Sequence, residues 1–280
     1  MADNHTDINI PQQINQVRNC EGCLNHETLI VDTNYILFLM DFISEYNPGI
    51  DSRGFLTKLT SYFNQSRECS IDGCLYVSKR LFKYELDVNY NPESALNTFS
   101  QFLENNESDD DRNDLVDLMK NYIDIINVNQ DDLDKIIIIA WTAYGERSPG
   151  MDDLSLVTLG LDLSNNRDSQ CFIVTDDEKL KALIKNHIIP KGKIEKANGD
   201  KWESVGLFPY HILDFLLKIF SCCKLSYDEA SNMISYYGEH FLFKRWEELG
   251  ENLKDIKYRY ISYYSKIFHE YIKKKCQIEG

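Results

Sequence analysis

The stretch FIVTDDEKL, Phe172–Leu180, decides the fold of this chain. Three apolar residues and a threonine lead directly into Asp176 and Asp177, and a helical pattern of apolar residues follows. A short apolar run of this kind is typical of a buried strand, so the two aspartates stand at its carboxyl end. Adjacent carboxylates repel each other, and their position after a strand therefore predicts either a helix cap or a bound cation.

Alternating strands and helices recur throughout residues 28–190. We expect strands in four apolar runs: LIV before Asp32, LYV at 75–77, the run IDIINV, and CFIV at 171–174. Helical spacing of apolar residues separates them in QDDLDKIIIIAWTAYGE, DLSLVTLGLDL and EKLKALIKNH. This alternation predicts an α/β protein, a three-layer α/β/α arrangement with a central parallel sheet.

Composition divides the chain into four segments. Residues 1–27 are polar and predict an N-terminal arm, and residues 28–190 form the α/β domain, with an acidic, solvated insert near 104–115. Residues 191–208 are basic and contain Gly and Pro, which predicts a linker. Residues 209–280 have helical spacing throughout and predict an α-helical C-terminal extension.

The charge of this 280-residue chain is unevenly distributed. The net charge is −15, but residues 1–177 carry 12 Lys and Arg against 31 Asp and Glu, whereas residues 178–280 carry 18 against 14. A nucleic-acid partner would therefore approach mostly through the second half. No apolar run approaches the ~20 residues needed to span a bilayer, and the polar start does not match a signal peptide. We expect a cytoplasmic protein without a membrane partner.

The eight cysteines offer one weak metal-binding pattern. Cys20 and Cys23 have the C-x-x-C spacing of half a zinc site, and Cys69 and Cys74 could supply the other half. Neither pair lies in a region rich in Cys and His. Reduced thiols are the favoured interpretation, with structural zinc as the alternative.

Four acidic residues are expected at one edge of the predicted sheet, because the carboxyl ends of parallel strands meet there. They are Asp32, Glu85, Asp153 and either Asp177 or Asp176. Two unit charges ~4 Å apart cost on the order of 4 kcal/mol at an effective dielectric near 20, so such a group takes up protons or a cation. Oxygen ligands favour Mg²⁺ or Mn²⁺. A simpler interpretation stays open for individual residues of this group, since Asp32 and Asp153 also occupy positions typical of helix caps. Asp162 is expected on an exposed helix face.

This order of motifs resembles that of PIN-domain nucleases. The matching stretches are LIVDTN, YVSKRLFKYEL, MDDLSLVTLGLDL and FIVTDDEKL. The resemblance implies that Asp32, Glu85, Asp153 and Asp177 are acidic metal ligands, that Asp176 can contribute, and that Asn34, Thr175 and Asp152 support them. Asp153 is preferred over Asp152 because Thr158 and Gly160 then fall where the family has small residues, and Asp177 over Asp176 because the family motif reads Thr-x-Asp.

Basic residues beside the predicted site are candidate phosphate contacts. They are Lys181, Lys185, Lys191 and Lys193, in the run KLKALIKNHIIPKGKIEK. A second candidate is the C-terminal run KDIKYRYISYYSKIFHEYIKKK, where aromatic residues that could stack on unpaired bases alternate with lysines. Much of that run also fits a helix face packed in the core.

The expected activity is a metal-dependent endoribonuclease acting on single-stranded RNA. A flap-type nuclease acting on structured DNA is one alternative, and a non-catalytic module that binds a basic protein is another. A protein partner, including the antitoxin of a toxin–antitoxin pair, and a homodimer stay open.

Overall fold

The computed structural model describes residues 27–36, 38, 75–86, 123–167, 170–221, 232–234, 236–237 and 266. The predicted arm up to residue 26, the acidic insert at 104–115 and most of the predicted C-terminal helices lie outside this part of the chain. Cys20, Cys23, Cys69 and Cys74 lie outside it too, so the zinc alternative stays a prediction.

Five strands form one sheet in which every neighbouring pair is parallel. Their bounds are β1 (Glu27–Val31), β2 (Leu75–Ser78), β3 (Ile123–Ile126), β4 (Gln170–Val174) and β7 (Leu207–Tyr210). A separate antiparallel hairpin consists of β5 (Lys193–Glu195) and β6 (Lys201–Glu203). The spatial order of the sheet is β3–β2–β1–β4–β7. The predicted α/β fold with a parallel sheet is confirmed.

Helices flank the sheet and alternate with its strands. They are α1 (Lys79–Leu81), continued by a π-helical turn (Phe82–Leu86), α2 (Gln130–Tyr144), α3 (Met151–Arg167), α4 (Glu178–Leu183), continued by a π-helical turn (Ile184–Ile188), and α5 (Ile212–Ser221). Residues 33–36 are helical directly after β1. Within the described residues, no helix is long and apolar enough to cross a membrane.

The strand order reverses between β1 and β4. From β1 the chain adds β2 and β3 on one side, and β4 and β7 on the other. Two hydrogen bonds continue the ladders past the strand ends: the Asp32 amide donates to the Val174 carbonyl at 3.0 Å, and the Thr175 amide donates to the Tyr210 carbonyl at 2.9 Å. Ligands of open α/β sheets bind outside the carboxyl ends of the strands at such a reversal.

Helix α3 lies close against the sheet because Gly160 has no side chain. A Cβ atom there would stand 2.5 Å from Leu207 Cδ1 and 3.2 Å from Ile30 Cδ1. Near the amino end of α3, the Ser155 hydroxyl hydrogen bonds with the hydroxyl of Ser78, the last residue of β2. The packing therefore brings the amino end of α3 to the carboxyl edge of the sheet.

The predicted linker contains the β5–β6 hairpin and a further strand. Trp202 of the hairpin is fully buried, and its Nε1 donates to Asp162 Oδ1 of α3 at 2.8 Å. Lys196 Nζ binds the same carboxylate oxygen at 2.8 Å. The expectation that Asp162 faces solvent is wrong, since this side chain is 24% exposed and anchors the hairpin. Asn165, one turn further along α3, exchanges two hydrogen bonds with the backbone of Glu203.

The helical region expected from residue 209 begins later than predicted. Pro209 and Tyr210 pair with β4 as part of β7, the edge strand. Proline cannot donate to a ladder hydrogen bond, and an edge strand tolerates it for that reason. Helix α5 starts after His211, whose Nδ1 accepts a hydrogen bond from the Leu213 amide at 3.1 Å.

Candidate active site

Asp32 occupies the point at which the strand order reverses. It directly follows β1 and is 3% exposed. Its Oδ2 accepts a hydrogen bond from Thr175 Oγ1 at 2.6 Å and a longer one from Asn34 Nδ2 at 3.4 Å. Donors of this kind offset the cost of burying a carboxylate. Thr175 and Asn34 therefore hold the side chain of Asp32 in place.

Glu85 comes to the same edge from the turn that follows β2. The Thr33 hydroxyl donates to Glu85 Oε2 at 2.5 Å, which ties the end of β1 to the π-helical turn after α1. Thr33 is buried, and the sequence analysis did not predict a role for it. Its position between two predicted site residues, Asp32 and Asn34, was the signal that could have identified it.

Asp153 is a carboxyl group whose pKa is raised by its surroundings. Burial is the largest cause that raises the pKa of Asp153 from its ordinary 3.8 to about 7, and the charges of Glu85, Asp177 and Asp152 add to it in that order. The Gly150 amide donates to Asp153 Oδ2 at 3.2 Å and lowers the pKa, but by less. The structure therefore brings Glu85 and Asp177 close enough to Asp153 for their charges to add to the effect of burial on its pKa.

The two aspartates after β4 have different contacts. Asp177 caps α4, because its Oδ1 accepts the Lys179 amide at 2.7 Å and the Leu180 amide at 3.4 Å. Asp176 Oδ1 accepts a hydrogen bond from Asn34 Nδ2 at 2.6 Å, and Tyr237 OH contacts Asp176 Oδ2 at 3.3 Å. Asp177 thus combines both interpretations of the sequence, a helix cap and a member of the acidic group.

Asn34 connects the two strand ends. Its amide nitrogen contacts Asp32 Oδ2 and Asp176 Oδ1, so one side chain holds a carboxylate from each side of the strand reversal. Tyr237 adds a contact from a part of the chain about 60 residues after Asp176. No local sequence pattern links Tyr237 to the strand end, which is why it was not predicted.

Asp152 contacts a cation, Arg80, to which the sequence analysis assigned no role. Arg80 Nε of α1 lies 2.8 Å from Asp152 Oδ1, and the two side chains are 27% and 29% exposed. The site therefore contains a positive charge beside its acidic group.

The four predicted phosphate contacts differ in accessibility. Lys185 and Lys191 are exposed, and Lys193 is exposed with its Nζ 3.4 Å from Glu203 Oε1. Lys181 is 6% exposed, and its Nζ pairs with Glu178 Oε1 at 2.7 Å. The expectation of an exposed contact is wrong for Lys181, because this position of α4 faces the interior and its ammonium group is already paired.

The donor set fits a hard divalent cation. All its members are carboxylates, and the pKa of Asp153 is raised first by burial and then by the charges of Glu85 and Asp177, which a cation would neutralise. Within the described residues, no group of three or more His, Cys, Asp or Glu side chains is arranged to bind a metal ion directly. Mg²⁺ typically keeps several waters and uses one or two protein carboxylates, so a hydrated ion fits this arrangement better than a fully protein-ligated one.

Comparison with known proteins adds no relative. No protein-family model, no curated protein and no solved structure matches this chain.

Proposed function

We propose that this chain is a Mg²⁺- or Mn²⁺-dependent endoribonuclease with a PIN-like domain. One observation carries the proposal: the charges of Glu85 and Asp177 help to raise the pKa of Asp153 at the carboxyl edge where the strand order reverses, and buried Asp32 follows the central strand β1 at that edge. Open α/β sheets bind their ligands at this place. The motif order that resembles PIN-domain nucleases supports the same assignment.

The carboxylates of Asp32, Glu85, Asp153 and Asp177 would hold a hydrated cation, at least in part through its bound waters, since no three of them are arranged to bind it directly. When bound, a divalent ion polarises a phosphoryl oxygen and lowers the pKa of a coordinated water, so the protein need not supply a nucleophile. Thr175 orients the Asp32 carboxylate through its 2.6 Å hydrogen bond. Thr33 does the same for Glu85 at 2.5 Å. These contacts preorganise the acidic group before substrate arrives.

Asp153 stores a proton in the metal-free protein near neutral pH, since its pKa is about 7. Oδ2 accepts the Gly150 amide, which places the proton on Oδ1. Burial is the largest cause of the raised pKa, and the charges of Glu85 and Asp177 add to it, so a cation beside them would lower the pKa of Asp153. Cation binding and loss of the Asp153 proton are therefore coupled.

Cleavage of single-stranded RNA in Mg²⁺ or Mn²⁺ tests the proposal. Asp32→Asn and Asp153→Asn should each lower kcat/KM by about a hundredfold or more, since weaker changes in outer contacts of metal sites already cost about 10–100-fold. Asp134→Asn is the matched control, because it removes an exposed carboxylate of α2. Full activity of both site variants would refute the assignment.

Substrate comparison and calorimetry separate the alternatives. Single-stranded RNA, single-stranded DNA and flap DNA are compared at matched salt, because phosphate contacts make binding depend strongly on salt. Preferred cleavage of flap DNA would replace RNA as the substrate while keeping the site. Absence of both cleavage and Mg²⁺ or Mn²⁺ binding would favour a non-catalytic interaction module.

A further inference from the structure

Arg80 is a cation at the rim of an acidic site. It is the second residue after β2, in α1, and its Nε lies 2.8 Å from Asp152 Oδ1 in the first turn of α3. Asp152 is the neighbour of Asp153, whose pKa is raised by burial and by the charges of Glu85 and Asp177. The guanidinium therefore contacts the residue that precedes Asp153 in α3.

The contact with Asp152 leaves the Arg80 Nε donor without a hydrogen bond to the described residues. Nε and Oδ1 are both buried, and their 2.8 Å approach lacks the geometry of a directed hydrogen bond. In the part of the chain that the structure describes, the Asp152 carboxylate and the Tyr84 ring, 5.0 Å from the guanidinium carbon, are the only partners of this side chain. Asp152 therefore balances the charge of Arg80 without using its fork of N–H groups.

The surroundings of Arg80 are locally basic. Lys79 is exposed beside it, and Lys83 Nζ lies 5.9 Å from the centre of the Tyr84 ring. Three cations thus fall within five residues in an otherwise acidic half of the chain. Local positive charge is what an acidic protein requires to bring a polyanion to a carboxylate site.

We propose that Arg80 binds a backbone phosphate of the nucleic acid and exchanges the Asp152 carboxylate for that phosphate. The proposal rests on the nuclease function proposed above and names the group that holds its substrate. A guanidinium forms two parallel hydrogen bonds with a phosphate, which the present contact with Asp152 does not provide. Both side chains are more than a quarter exposed, so part of each is accessible from solvent even though the contacting Nε and Oδ1 atoms are buried.

The competing explanation is that Arg80 only neutralises Asp152 and joins α1 to α3. The two explanations differ once the carboxylate is removed. If Arg80 binds phosphate, Asp152→Asn releases the guanidinium for RNA. If Arg80 only neutralises Asp152, it has no role left in that variant, and removing it changes nothing further.

The test is equilibrium binding of a fluorescent single-stranded RNA in EDTA at several salt concentrations. Arg80→Ala should weaken binding about tenfold, the range of a charged hydrogen bond, and reduce the salt slope by about 0.7, the value for one phosphate of a single strand. Asp152→Asn should tighten binding severalfold. The double variant Arg80→Ala/Asp152→Asn should stay as weak as Arg80→Ala, and Arg80→Lys should recover the salt slope with only part of the affinity.

Lys201→Ala is the matched control for loss of one positive charge. Lys201 is exposed on β6, in the hairpin that docks near Asn165, about 18 Å along α3 from Asp153 at 1.5 Å per residue. It should leave the salt slope unchanged. Chemical denaturation of each variant shows whether the fold persists.

Recovery of wild-type affinity and salt slope in the double variant overturns the proposal, as does a wild-type chain that binds no RNA. These failures are distinct from failure of the nuclease assignment. That assignment fails when cleavage survives Asp32→Asn and Asp153→Asn, whereas the Arg80 proposal fails when cleavage needs the acidic group but RNA binding does not depend on Arg80.

Discussion

Thr175 Oγ1 donates a 2.6 Å hydrogen bond to Asp32 Oδ2, across the boundary at which the strand order reverses. Both residues are buried, at 0% and 3% exposure. The Thr175 hydroxyl also accepts the Asp177 amide at 3.0 Å. One hydroxyl group therefore sets the position of a carboxylate from β1 and the direction of the chain after β4.

Thr175→Val should lower the free energy of unfolding by about 1–3 kcal/mol, because a buried carboxylate loses a charged hydrogen bond without a change in side-chain shape. Denaturant unfolding measures it. Thr142→Val is the control: this exposed threonine donates only to the Ile138 carbonyl within α2, and its loss should stay within about 0.5 kcal/mol. Equal effects of the two substitutions would show that Asp32 does not depend on Thr175.

Asp153 should make the metal-free protein less stable as pH rises. Its pKa is 3.8 ordinarily and about 7 when folded, so between these values the folded chain holds a proton that the unfolded chain has released. Stability from the protonated carboxyl is therefore complete below 3.8 and is lost as pH rises to about 7. The Asp153→Asn variant does not lose this stability, because asparagine does not ionise. Above pH 7 the unfolding midpoint of the variant should therefore exceed that of the wild type. Parallel pH profiles of the two proteins would contradict the assignment of the titration to Asp153.

The affinity for a divalent ion should also change as Asp153 titrates, but it should rise with pH, whereas the stability falls. A protonated Asp153 competes with the cation, so the affinity for Mg²⁺ or Mn²⁺ should rise as pH increases through about 7. Calorimetry in buffers of different ionisation enthalpy counts the proton released on binding. Binding without proton release below pH 7 would show that the cation does not reach Asp153.

Gly160→Ala should destabilise the protein although alanine favours helices. The added Cβ would meet Leu207 Cδ1 at 2.5 Å and Ile30 Cδ1 at 3.2 Å, and overpacking of this kind costs about 1–3 kcal/mol, against the roughly 1 kcal/mol that alanine gains in helix propensity. Asn166→Ala, exposed near the end of α3, should be neutral or stabilising. A raised unfolding midpoint of Gly160→Ala would mean that α3 lies further from the sheet.

Asp162→Ala should destabilise the fold without acting on catalysis. The change removes the partner of buried Trp202 Nε1 and of Lys196, and an unsatisfied buried donor costs about 1–3 kcal/mol. Intrinsic tryptophan fluorescence follows the detachment of the hairpin. Asp134→Ala is the control, because its side chain accepts only an exposed hydrogen bond from Gln130. If kcat/KM fell for Asp162→Ala in the folded protein, this residue would belong to the site.

Local sequence patterns were sufficient to predict four strands of the sheet and two of the helices that flank it. The four predicted strands, the helices from Gln130 to Tyr144 and from Met151 to Arg167, and the parallel arrangement are all observed. Runs of apolar residues report buried strands directly, because central parallel strands are covered on both faces. The edge strand Leu207–Tyr210 was missed because it is short and contains a proline.

Taken alone, the amino-acid sequence determined which residues end the strands, and hence that Asp32, Asp176 and Asp177 stand at one edge of a parallel sheet. Tertiary structure alone decided the long-range contacts: Asn34 joins Asp32 to Asp176, Arg80 meets Asp152, and Asp162 supports a hairpin. The physical reason is the distance along the chain over which each kind of interaction acts. Apolar periodicity acts over a few neighbouring residues, whereas a hydrogen bond or a charge pair joins side chains whose separation in space depends on how the whole sheet is assembled.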